Sequence, residues 1–149
     1  MMSRLKPMQL LWFIGVSNFV AATVVVVLAA LSWHLQEDQH LPHWFRVFST
    51  TALFFMAAAL AGECLLWWGI RSGDWTNSAL ARPRRYVAHP AVLVAFVTMV
   101  LLSIVYFIVA PPRHSFLGVL LLNISTNLLR TKTYLTPKDT RTGFLRITP

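Results

Sequence analysis

Four apolar blocks separated by short polar or basic stretches organise the chain: residues 8–33, 48–70, 91–110 and 116–130. A helix of about 20 residues rising ~1.5 Å per residue covers a hydrocarbon core of roughly 30 Å, so the first three blocks predict membrane-spanning helices. The run Val24 to Val27 does not disturb this reading, because lipid offers backbone groups no partner outside a helix. Arg4 and Lys6 ahead of the first block resemble the start of a signal peptide. The block from Met8 to Trp33 is too long for that role and no small-x-small site ends it, so it is expected to remain as the first span.

The fourth block is shorter, and Asn123, Ser125, Thr126 and Asn127 make its second half polar. Charge decides its reading. Residues 34–47 carry Glu37 and Asp38 against Arg46, whereas residues 71–89 carry Arg71, Arg82, Arg84 and Arg85 against Asp74. The tail 131–149 is basic. Since cytoplasmic loops carry the excess of Lys and Arg, the loop 71–89 and both termini are expected on the cytoplasmic side. That requires the fourth block to cross as a short span, its polar half facing other helices and its basic residues snorkelling. The predicted fold is all-α: one transmembrane domain over residues 1–149, a bundle of four helices with both termini cytoplasmic.

Composition agrees with the pattern. Hydrophobic residues make up 56% of the 149 and charged residues 12%, about half the charge content of a soluble domain. Thirteen Lys and Arg against five Asp and Glu give a net charge of +8, which in a soluble protein would point to nucleic acid. Here the basic residues cluster between apolar runs, so no nucleic-acid partner is read from them. Arg82, Arg84, Arg85, Arg130 and Lys132 are instead topology determinants or candidates for holding anionic lipid head groups.

Candidate chemistry lies in polar residues inside the apolar blocks. Glu63 falls about a turn from the bilayer midplane, where a carboxylate must be protonated or paired with a basic group. It shares a helix face with Ala59, beside the small residues Ala57, Ala58, Ala61 and Gly62, and is expected to face the helix interface. Asn18, beside Gly15, Ser17, Ala21 and Ala22, should likewise face protein; Asn123 and Asn127 are the matching candidates in the fourth block. These four are candidates for substrate or helix contact. Cys64 is the lone cysteine and is expected to behave as a small buried hydrophobe. Trp67 and Trp68 mark the inner interface, as Trp33 and Trp44 mark the outer.

His34, His40 and His43 with Glu37 and Asp38 have the ligand types for zinc or copper, but their spacing matches no established site, and solvated loop histidines are expected. No nucleophile and base stand at a meaningful spacing, no glycine-rich phosphate loop occurs, and no histidine lies inside a span to ligate a haem. Neither an enzyme nor a bound cofactor or metal is expected. Asn123-Ile124-Ser125 spells a glycosylation acceptor by chance, inside an apolar segment.

The outer spans resemble those of the GtrA family of small four-span membrane proteins. The resemblance rests on LLWFIGVSNFV at 10–20 and LLLNISTNLLRTKTYL at 120–135, with LLWWGIRSGDW at the end of the second span a fainter echo. It implies a role in moving or handling polyprenyl-phosphate-linked sugars across the bacterial cytoplasmic membrane for cell-surface polysaccharide. Such a transporter or flippase of this size is expected to work as a homo-oligomer. The competing expectation is a non-catalytic accessory subunit whose small residues dock helices of a larger membrane complex. A pore-forming, holin-like protein fits less well, because the tail is long and three spans are strongly apolar.

Overall fold

The computed structural model describes residues 6–34, 42–109 and 115–136. The described chain is all-helical: α1 (Pro7–His34), α2 (His43–Arg71), α3 (Asn77–Val87), α4 (Pro90–Val109) and α5 (Ser115–Leu135). Helices α1, α2 and α4 are long and apolar enough to cross a membrane, the mark of a membrane protein.

The buried residues of α1 include Pro7, Leu11, Ile14, Asn18, Ala21, Val25 and Leu28, spaced alternately four and three apart. This 3.5-residue repeat belongs to helices that pack along a shared seam. In α2 the seam runs through Phe45, Ala52, Ala59 and Leu66, each seven residues from the last, with Glu63 buried in the same register. The two helices are antiparallel, since Gly62 near the end of α2 meets Ile14 near the start of α1. A Cβ on Gly62 would lie 2.9 Å from Ile14 Cγ1 and 3.1 Å from Phe13 Cδ1, so glycine permits this close approach. Of the small residues around it, Ala59 is buried whereas Ala57 and Ala61 face outward.

Helix α5 is the central element, packing against α1, α2, α3 and α4. It runs antiparallel to α1 and parallel to α2, since Leu117, Leu120 and Leu121 share a cluster with Val25, Leu28, Phe45 and Ala52, and Leu135 shares one with Leu10, Ile14 and Leu66. Two apolar clusters stack along the bundle. Val25, Leu28, Phe45, Ala52, Tyr106, Leu117, Leu120 and Leu121 form one. Leu10, Leu11, Ile14, Leu66, Leu80, Val87 and Leu135 form the other, at the opposite end. The buried polar side chains of Asn18, Glu63 and Asn127 lie between the two clusters in sequence along their helices. Of the described Lys and Arg, seven lie toward the second cluster's end and Arg46 alone at the other.

Three expectations need correction. Residues 71–89 are not simply a loop, because they contain α3, whose Leu80, Pro83 and Val87 are buried at helical spacing. The Thr76 hydroxyl caps it by accepting from the Ala79 N–H. Residues 131–135 belong to α5, not to a tail, so Arg130 sits more than a turn inside that helix. Finally, α2 starts at His43, five residues before the predicted block. Glu37, Asp38, His40, His114 and the side chain of His34 lie outside the described residues, as does the tail beyond 136.

Candidate functional site: a polar layer between α1, α2 and α5

Each helix contributes to the layer from its seam. Glu63 is held by α2, with Ala59 one turn before it and Leu66 on the other side, both buried. Its side chain is 5% exposed, against 39% for its partner Arg130. The Arg130 Nε donates to Glu63 Oε1 at 2.8 Å and Nη2 to Oε2 at 3.4 Å, a two-pronged, charge-assisted contact. Nη1 reaches the Thr126 hydroxyl at 3.5 Å. The carboxylate thus meets the sequence expectation by pairing with a base. Its partner is a residue that the sequence suggests for lipid head groups.

One turn away, the Asn127 amide donates to Asn18 Oδ1 at 3.2 Å across α5 and α1, and both side chains are buried. The Thr131 hydroxyl donates to the Asn127 carbonyl at 3.0 Å and tightens α5 behind it. Asn18 Nδ2, Asn127 Oδ1 and Asn123 Oδ1 are buried without hydrogen-bond partners among the described atoms. A buried amide atom left unpaired costs on the order of 1–3 kcal/mol, so the layer is held at some expense by the packing around it.

A cavity of about 360 Å³ opens beside the ion pair, lined by Leu60, Glu63, Cys64, Trp67, Asn123, Arg130 and Tyr134. It joins a carboxylate, a guanidinium and an Asn side chain to two aromatic side chains, at a depth of about 12 Å from the end of α2 by helix rise. Cys64 corrects another expectation, since it is exposed on this wall. It lies one residue past Glu63, about 100° around the helix and off the seam.

The remaining candidates separate. Arg84 is used within the fold, its Nε donating to the Leu135 carbonyl at 2.9 Å and so tying α3 to the end of α5. A cation at a helix C-terminus is favoured by the helix dipole. Arg82, Arg85 and Lys132 are exposed. Sequence reasoning missed Tyr134, Thr126 and Thr131. The i, i+3, i+4 spacing of 123, 127, 130, 131 and 134 would have shown one polar face on α5, had the helix been carried past residue 130. Compared with protein-family models, with characterised proteins and with solved structures, the chain matches none.

Proposed function

We propose that the chain is a four-span protein of a bacterial cytoplasmic membrane, with both termini on the cytoplasmic side, that handles a lipid-linked sugar as a non-enzymatic transporter or flippase component. The observation that carries the proposal is the Glu63–Arg130 pair on the wall of an open cavity at membrane depth, with Asn123 also in its lining. An ionisable pair inside a span is a functional site by default. Sugar hydroxyls both donate and accept, so a carboxylate, a guanidinium and an amide side chain suit them, while Trp67 and Tyr134 offer flat apolar faces to the ring. The volume falls within the roughly 300–1,000 Å³ of small-molecule sites. The resemblance to the GtrA family points to the same substrate class, a sugar on a polyprenyl phosphate, and a bundle of this size would act as a homo-oligomer or beside other membrane subunits.

The length of α5 supports a fourth span beside the three apolar ones. Its 21 residues rise about 31 Å, enough for the hydrocarbon core. Asn127 and Arg130 are turned toward α1 and α2, while the exposed Lys132 and Thr133 lie in its last turn, near the head groups. Reporters fused after Gln39 and after Pro149 should then report opposite sides of the membrane; the same side for both would overturn the topology.

The functional test uses vesicles containing the purified protein and a fluorescent polyprenyl-phosphate-linked sugar. Glu63→Gln and Asn123→Ala should abolish movement of the sugar while the protein still inserts, and Arg46→Gln, at the opposite end of the bundle, should not. Full activity in Glu63→Gln would sink the proposal. It would favour the second reading, an accessory subunit, which draws on the outward-facing Ala57, Ala61 and Cys64 of α2 as a surface where another helix could approach.

A further inference from the structure

The bend between α3 and α4 holds a second cavity, of about 590 Å³, lined by Met8, Arg82, Arg85, Tyr86, His89, Ala91 and Val92. It shares no lining residue with the cavity beside Glu63. We propose that this cleft binds the phosphate of an anionic lipid, with Arg82, Arg85 and His89 on the phosphate and Met8, Ala91 and Val92 against the first methylenes of the chains. The inference does not rest on the lipid-linked sugar reading.

The helix sets up the arrangement. Leu80, Pro83 and Val87 turn one face of α3 into the second apolar cluster, with Arg84 on the Leu135 carbonyl beside them. Arg82 and Arg85 follow at i and i+3 and therefore share the opposite, outward face of α3, and His89 joins them in the lining from the bend beyond the helix. His89 Nδ1 accepts the Ala91 N–H at 3.2 Å. A neutral imidazole that accepts at Nδ1 carries its proton on Nε2, which leaves that nitrogen as a donor. The positive end of the α4 dipole also lies beside the cleft, its Ala91 and Val92 N–H groups being taken up by His89 Nδ1 and the His89 carbonyl.

Nothing in the lining opposes an anion. The acids among the described residues are Glu63, paired with Arg130, and Asp74, which accepts from the Ser72 hydroxyl at 2.8 Å. Neither lines the cleft. The wall is otherwise apolar, and Tyr86 packs against Trp12 with ring centroids 6.0 Å apart, a pair suited to the membrane interface. Cations above an apolar floor at that level fit a phospholipid better than a free ion. Two planar guanidinium groups also favour phosphate, which they bind in two-pronged fashion.

Native mass spectrometry of the full chain in detergent micelles can read the binding of phosphatidylglycerol, phosphatidylcholine and inorganic phosphate. The comparison is between the wild type, R82Q/R85Q and R71Q/K132Q, the last removing equal charge from the same end outside the cleft. Each basic residue near an anionic head group contributes about fivefold, so R82Q/R85Q should weaken phosphatidylglycerol binding by about 25-fold. R71Q/K132Q should change it by less than about threefold, and the wild type should prefer phosphatidylglycerol over phosphatidylcholine. Failure of inorganic phosphate to displace the lipid assigns the site to a lipid head group, whereas full displacement at millimolar phosphate assigns it to the free anion and overturns the lipid. Equal losses in the two double variants, or none in R82Q/R85Q, would show that no specific site exists. Circular dichroism confirms that the exposed substitutions leave the helices intact.

Discussion

Helices α4 and α5 lie side by side with nearly equal lengths of 20 and 21 residues, yet their surroundings are opposite. In α4, the more apolar of the two, Ser103 and Tyr106 are buried by protein and almost everything else faces outward. In α5, which carries Asn123, Ser125, Asn127, Arg130 and Thr131, nine residues are buried and four other helices surround it. A soluble protein would place these helices the other way round. In lipid, apolar side chains are already solvated and gain little from contact with protein, whereas polar groups are satisfied only by one another. Hydropathy therefore identifies the helix that faces lipid, and polarity identifies the helix at the centre.

Substitutions that probe this difference should have graded effects. The largest is expected for Arg130→Gln, which leaves Glu63 unpaired in a layer where its side chain is 5% exposed. Stability in detergent, followed by thermal or SDS unfolding, should fall by about 3 kcal/mol. Gly118→Val should cost about 2 kcal/mol by overpacking the α4–α5 contact. A Cβ at Gly118 would already stand 3.0 Å from Tyr106 Cδ1 and from Phe107 Cζ. A smaller loss, about 1 kcal/mol, is expected for Asn127→Leu, which strips Asn18 of its partner. The double variant Asn18→Leu/Asn127→Leu should recover most of it, because neither amide of the pair is then left without the other. The smallest effect, under about 0.5 kcal/mol, belongs to Leu101→Ala on the outward face of α4. A loss there as large as that of Asn127→Leu would remove the distinction between the two helices.

The same contrast explains what the sequence could disclose. The apolar blocks matched α1 and α4 to within a residue at each end, and α2 except for its first turn, because length and hydropathy alone decide such helices. Asn18 and Glu63 could be assigned inward because a polar side chain in an apolar block has nowhere else to go. The partner of Glu63 could not be read in the same way. Arg130 stands where the apolar block ends, and an arginine there is indistinguishable by pattern from a snorkelling one. Its role depends on five further helical residues and on the parallel alignment of α5 with α2, both products of tertiary packing. Helix α3 was hidden by Pro83 and its run of arginines, although Thr76 as a cap and Leu80, Pro83 and Val87 at helical spacing carried the signal. Nor does hydropathy show which residues of an apolar helix form its seam, so Cys64 was placed on the wrong side.

The account rests on the claim that Glu63 and Arg130 act as one unit joining α2 to α5. A double-mutant cycle of Glu63→Gln, Arg130→Gln and the combined variant, read by unfolding in a single detergent, tests it most directly. Glu63→Gln alone should cost about 1 kcal/mol, since Arg130, 39% exposed, can turn its charge toward water or head groups. The combined variant should be more stable than Arg130→Gln, because it leaves no carboxylate without its cation. Losses that simply add, making the combined variant the least stable of the three, would contradict the pairing at the centre of the bundle.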